Sequence, residues 1–104
     1  MLSDKTVLIT GGGGGLGEGI ARVCHREGAN VVVCDIKGHQ AERVAGSLVD
    51  RALGLFCDVR NQSDLQSVAS ATLQRFASID GLVNNAGSNC SARRILYQFL
   101  VCPS

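Results

Sequence analysis

Residues 10–19 read TGGGGGLGEG, and five consecutive glycines set between an apolar run and a helix-forming one decide how the rest of the chain is read. Ahead of them TVLIT (6–10) is short, apolar and β-branched, the pattern of a strand buried on both faces of a sheet. Behind them Leu16, Ile20, Val23 and Cys24 recur at i, i+4, i+7 and i+8, which predicts an amphipathic helix over 16–27 that Gly28 ends. A glycine turn between strand and helix lets backbone N–H groups and the positive helix N-terminus come close to an anion, and a pyrophosphate suits that arrangement. Gly12, Gly14 and Gly17 satisfy G-x-G-x-x-G, and without a lysine after Gly17 the loop is not that of a nucleoside-triphosphate P-loop.

The alternation continues beyond the loop. NVVVCD (30–35) predicts a second buried strand, and Ala41, Val44, Ala45 and Leu48 mark a helical face over 39–49. ALGLFCDV (52–59) predicts a third strand. After it Ser63-Asp64-Leu65-Gln66 reads as a capping box ahead of the stripe Leu65, Val68, Ala69, Thr72 and Phe76, a helix over 63–77. IDGLVNNAG (79–87) predicts the fourth strand and the turn beyond it. The order βαβαβαβ is that of a parallel sheet with right-handed crossovers. The expected strand order is 3-2-1-4, with helices 16–27 and 39–49 on one face and helix 63–77 on the other. Asp35 ends the second strand eighteen residues after Gly17. A carboxylate there accepts hydrogen bonds from an adenosine ribose and repels a 2′-phosphate, which favours NAD over NADP, a preference that nearby Lys37 tempers.

These residues together resemble the short-chain dehydrogenase/reductase family over 5–87. Thr10-Gly11-x-x-x-Gly15-x-Gly17 is similar to its cofactor loop, Asp58-Val59 to its adenine-side pair, and Asn84-Asn85-Ala86-Gly87 to its Asn-Asn-Ala-Gly turn. The resemblance implies an α/β fold, a Rossmann-type doubly wound parallel sheet truncated here to about four strands. It assigns cofactor binding to Thr10, Gly11, Gly15, Leu16 and Gly17 in the loop, with Asp35 on the ribose. It further implies that Asp58 bonds the adenine amino group, Val59 packs beside the ring, and Asn85, Ala86 and Gly87 steady the sheet next to the cofactor.

The family moves a hydride between a nicotinamide and an alcohol/ketone pair, using a tyrosine whose pKa a nearby lysine lowers. A phenol with pKa about 10 is a poor base at neutral pH without such a charge, hence the family's Tyr-x-x-x-Lys on one helix face. The single tyrosine here is Tyr97, with Val101 four residues on, and the lysines are Lys5 and Lys37. No residue is therefore assigned a catalytic role. The expected organisation is a dinucleotide-binding half-domain over 1–87 and a divergent tail over 88–104, as a truncated gene model, an alternative transcript or a frameshift would give. Such a half-sheet is expected to expose apolar surface on the face of helix 63–77 unless residues 95–101 patch it, and so to aggregate or to need a partner. The alternatives to an oxidoreductase fragment are a non-catalytic dinucleotide-binding or interaction module that pairs with a full-length family subunit, and a truncated product without function.

Ten basic and nine acidic residues nearly cancel, which argues against nucleic acid or an anionic membrane as partner. The longest apolar runs are strand-sized and no basic, then apolar leader opens the chain, so the expected compartment is the cytoplasm. Cys24, Cys34, Cys57, Cys90 and Cys102 are odd in number and form no Cys-x-x-Cys, so neither disulfides nor a metal site are expected. His25 and His39 read as surface residues.

Overall fold

Strand β1 (Thr6–Thr10) and strand β2 (Asn30–Asp35) are apolar without alternation because both of their faces are covered. The computed structural model describes residues 2–85. In it Leu8, Val32 and Cys34 point to one layer of the core, and Ile9, Val31 and Val33 to the other. Strand β3 (Ala52–Phe56) pairs with β2 and strand β4 (Gly81–Asn84) with β1, all parallel, giving the sheet order β3-β2-β1-β4. The expected order and the α/β class, a Rossmann-like doubly wound sheet, are those observed.

Among the described residues three helices make the covering layers. Helix α1 (Gly15–Arg26) and helix α2 (Gly38–Leu48) cover one face, where Ala21, Ala41, Val44 and Leu48 meet Ile9, Val31 and Val33. Helix α3 (Gln62–Phe76) covers the other, where Leu65, Val68 and Ala69 meet Leu8, Val32 and the buried thiols of Cys34 and Cys57. Helix α2 lies so close to β3 that a Cβ on Gly54 would collide with the Ala41 carbonyl, 2.7 Å from its carbon. Only glycine allows that approach. Among the described residues no helix is long and apolar enough to cross a membrane.

Beyond one-residue shifts in the helix bounds, the structure differs from the sequence expectation in the inward face of α1, the end of β3 and the cap of α3. Of the expected stripe of α1, Ile20 and Cys24 pack against the core, but the fully buried positions are Gly17 and Ala21, while Leu16 is 73% and Val23 47% exposed. The helix presses its N-terminal turn against the loop backbone, so the smallest side chains take the inner row and the larger ones turn outward. The third strand stops at Phe56 rather than at Val59. It is an edge strand whose partner β2 ends at Asp35, so the Cys57 N–H to the Asp35 carbonyl, 3.0 Å, is the last rung available. Helix α3 is capped by Asn61 and not by Ser63: the Asn61 side chain accepts the Asp64 N–H at 3.1 Å. Asparagine caps as well as serine, and the earlier start gains helical residues.

Candidate functional site

Every strand in the sheet runs the same way, so the ends of all four meet at one edge, where ligands of open parallel sheets bind. Thr10 ends β1 at that edge with its hydroxyl against Asn84 Oδ1, 3.1 Å, and the Val83 carbonyl, 3.4 Å. It is buried and joins β1 to β4 rather than facing the loop's open side.

The glycine loop turns over this edge. Gly11 and Gly15 lie at φ +67° and +57°, in the left-handed region that residues with a Cβ avoid. Gly12 and Gly17 are held by contact: a Cβ on Gly12 would stand 2.6 Å from Val33 Cγ1. One on Gly17 would run into the Gly11 carbonyl oxygen and come within 2.8 Å of Asn85 Nδ2. Around Gly14 and Gly15 a Cβ would meet nothing, so the loop is open there. Gly11 and Gly15 are thus required by their backbone angles and Gly12 and Gly17 by packing, as is Gly13, where a Cβ would stand 2.7 Å from Asp35 Oδ2 and 2.9 Å from Gln40 Cβ; Gly14, a member of the G-x-G-x-x-G reading, is under no such constraint. Gly14 is also the N-cap of α1 and brings no side chain to its first amides.

Asp35 ends β2 beside the loop. Its Oδ2 accepts the Gly13 N–H at 3.0 Å and its Oδ1 accepts the Lys37 N–H at 3.0 Å. Gly11, Gly13, Gly14, Gly15, Glu18, Asp35, Lys37, Gln40 and Arg43 line a cleft of about 530 Å³. Of the candidate residues, Gly11, Gly15 and Asp35 line this cleft. Gly17 is buried under the loop, and Leu16 stands exposed at the head of α1.

The other candidates lie beyond it. Asn85 Nδ2 donates to the Gly11 carbonyl at 3.0 Å, which ties the end of β4 to the start of the loop. Asp58, past the end of β3, is clasped by Arg60: the backbone and Nε of Arg60 donate to its Oδ1 at 3.0 and 3.1 Å, and Nη2 to its Oδ2 at 3.1 Å. Those contacts hold the Asp58 carboxyl below its ordinary range. Val59 packs against the α3 layer of the core. Ala86, Gly87 and the whole 88–104 segment, with Tyr97, lie outside the described residues.

Sequence reasoning passed over Glu18, Gln40 and Arg43. Arg43 of α2 reaches the Gly13 carbonyl at 3.2 Å and Glu18 Oε1 at 3.2 Å, and its Nε donates to Gln40 Oε1 at 3.0 Å. Arg22 takes the other Glu18 oxygen at 2.6 Å. The hydrogen bonds from Arg22 and then Arg43 pull the Glu18 carboxyl below its ordinary range, which keeps an anion at the head of α1 charged and paired. The Glu18/Arg22 spacing was a readable i,i+4 pair. Nothing local signals that Arg43 comes back to the loop.

Such an arrangement can receive an anionic, ribose-bearing ligand: open glycine backbone at Gly14 and Gly15, a helix N-terminus without a capping side chain and a carboxylate at the next strand end. Known proteins agree with the fold. Residues 5–98 match the short chain dehydrogenase family. The chain is 41% identical over 89 residues to the L-fucose dehydrogenase of Bos taurus, covering 82% of this chain and 31% of that protein. It is 36% identical over 85 residues to the 2,5-dichloro-2,5-cyclohexadiene-1,4-diol dehydrogenase of Sphingobium indicum, covering 82% and 34%. Its structure superposes at TM-score 0.84 and 28% identity on the 3-ketoacyl-(acyl-carrier-protein) reductase of Brucella melitensis complexed with NADH, over 99% of this chain and 51% of that one. With the hydroxysteroid dehydrogenase of Escherichia coli the TM-score is 0.86 at 28% identity, over 95% and 52%. The chain thus spans about a third of the length of these curated relatives and about half of the solved chains. On the match over residues 5–98, the chain belongs to the short-chain dehydrogenase family of oxidoreductases.

Proposed function

We propose that the cleft binds NAD(H), and that the chain provides the cofactor half of an oxidoreductase acting on an alcohol/ketone pair. The observation that carries this is the Asp35 carboxylate, which ends β2 in the same cleft as the glycine loop, 3.0 Å from the Gly13 N–H. A carboxylate there accepts ribose hydroxyls and repels a 2′-phosphate, which favours NAD over NADP. The residues fit the cofactor: Gly14 and Gly15 leave open space where a phosphate would lie, and the first turn of α1 offers its amides without a capping side chain.

In this reading Gly11, Gly15 and Gly17 keep the loop low enough for the pyrophosphate, and Leu16 offers an amide and an exposed apolar side chain beside it. Asp35 orients the adenosine ribose. Asp58 meets the adenine amino group once Arg60 yields it, with Val59 behind the ring, and Asn85 steadies the loop from the end of β4. The bound nicotinamide supplies the hydride chemistry. No residue of the 104 is given the proton-transfer role, because Tyr97 is followed four residues on by Val101 and not by lysine. That observation favours a second reading, a dinucleotide-binding module without chemistry of its own that pairs with a full-length family subunit. In both readings the chain works in the cytoplasm.

Thermal unfolding with and without NAD and NADP tests the cofactor assignment. Saturation at a hundredfold over the dissociation constant adds about 2.7 kcal/mol when only the folded state binds. NAD is expected to stabilise the chain more than NADP. Asp35→Asn, which keeps an oxygen for the Gly13 amide but drops the charge, is expected to narrow that gap. Indifference of the wild-type transition to both nucleotides sinks the proposal. Co-purification with a full-length relative, without turnover of its own, selects the second reading.

A further inference from the structure

We infer that Arg43 is a positioning residue that clamps the glycine loop in its ligand-ready shape, an inference that rests on the dinucleotide reading of the cleft. Five consecutive glycines lose more conformational freedom on ordering than any other five residues, and none has a side chain to hold itself in place. The loop must therefore be held from outside. Its first residues are: Gly11 and Gly12 donate to the Cys34 carbonyl at 2.8 and 3.3 Å, and Asn85 takes the Gly11 carbonyl. Its last are joined to α1, where the Glu18 N–H bonds the Gly14 carbonyl at 3.2 Å. At the midpoint, Gly13, both backbone groups are held by side chains, the N–H by Asp35 and the carbonyl by Arg43.

Arg43 is itself braced for this. Gln40 accepts from its Nε, Glu18 accepts from the same Nη2 that reaches Gly13, and Arg22 fixes the far oxygen of Glu18. A planar guanidinium makes these contacts together, whereas an ammonium offers a point charge without the fork. The braced arginine offsets the loop's entropy before any ligand arrives, so the ligand does not have to. Its effect belongs to the part of a ligand that the loop cradles, the pyrophosphate, and not to the adenosine.

The test compares the wild type with Arg43→Met, which keeps the apolar stem, and Arg43→Lys. Amide exchange at Gly13 is read in the unliganded protein, with the β1 and β2 amides as the internal standard for global stability. Affinities are read with ADP-ribose and with adenosine. Arg43→Met is expected to speed Gly13 exchange relative to that standard and to weaken ADP-ribose about tenfold, the worth of one charge-assisted hydrogen bond, with adenosine unchanged. Arg43→Lys is expected to restore only part of either effect.

Gly13 exchange unchanged in Arg43→Met overturns the clamp, even when affinity falls; Arg43 would then act on the phosphates directly. Full restoration by lysine overturns it as well, since charge alone would then suffice. Should the wild type bind no ADP-ribose, the dinucleotide reading fails, and Gly13 exchange still decides whether Arg43 holds the loop.

Discussion

Replacing the loop glycines one at a time by alanine separates the positions that the fold obliges from those that merely read as glycine. At Gly17 a Cβ would strike the Gly11 carbonyl and lie 2.9 Å from Gly12 Cα, and neither is a side chain that can swing aside. Overpacking of this kind costs about 3 kcal/mol at the upper end, against which a helical Gly→Ala returns up to about 1, leaving a net loss of roughly 2 kcal/mol. Gly14 is at φ 179°, ψ 176°, extended backbone that alanine adopts, with nothing within 4 Å of the new Cβ. Alanine there removes unfolded-state freedom and is expected to stabilise by about 0.4–1 kcal/mol. The two variants should therefore differ by about 2.5 kcal/mol. With a urea m-value of about 1.5 kcal/mol/M, their unfolding midpoints should lie about 1.7 M apart on either side of the wild type. Equal midpoints, or a greater loss at Gly14 than at Gly17, would refute the packing argument and return the weight to the G-x-G-x-x-G spacing.

Two further expectations concern stability away from the loop. Asn61→Ala should cost about 1 kcal/mol in urea unfolding and Ser63→Ala close to nothing, since Asn61 makes the cap; the reverse ranking would place the start of α3 at Ser63. Asp80 accepts the Thr6 N–H at 2.8 Å, and that bond first, with the Ser78 hydroxyl second, holds its carboxyl below the ordinary range. A carboxyl depressed by folding contributes stability above its unfolded pKa, about 4, and loses it as pH falls through the folded value. Asp80→Asn should thus lower stability at neutral pH and flatten its decline below pH about 4. Parallel urea-midpoint profiles for the two proteins from neutral to acid pH would show that the bond contributes nothing.

The order of elements was open to reading in the sequence because it rests on local periodicities. Runs such as NVVVCD and the stripe Ala41, Val44, Ala45 and Leu48 carry their own strand or helix signal, and strict alternation of the two leaves a parallel sheet as the economical arrangement. The position of Asp35 followed from the same logic, as the last residue of a strand whose end the sequence marks. What the sequence by itself determined is therefore the parallel α/β sheet and the place where its glycine loop and carboxylate meet.

Only the tertiary structure decided the rest, since each remaining point depends on how closely distant backbones approach. The hydrophobic stripe of α1 named Leu16, Ile20, Val23 and Cys24 as inward; Ile20 and Cys24 do pack against the core, but Gly17 and Ala21 take the fully buried positions and Leu16 and Val23 face outward. β3 ends at Phe56 because its neighbour does, and apolar content in 57–59 has no bearing on that. Arg43 stands thirty residues from Gly13 in a helix whose periodicity concerns only its buried face, so its grip on the loop leaves no local trace. Composition and period describe what a residue prefers within its own element, whereas packing between elements selects which glycines are obligatory and which charges meet.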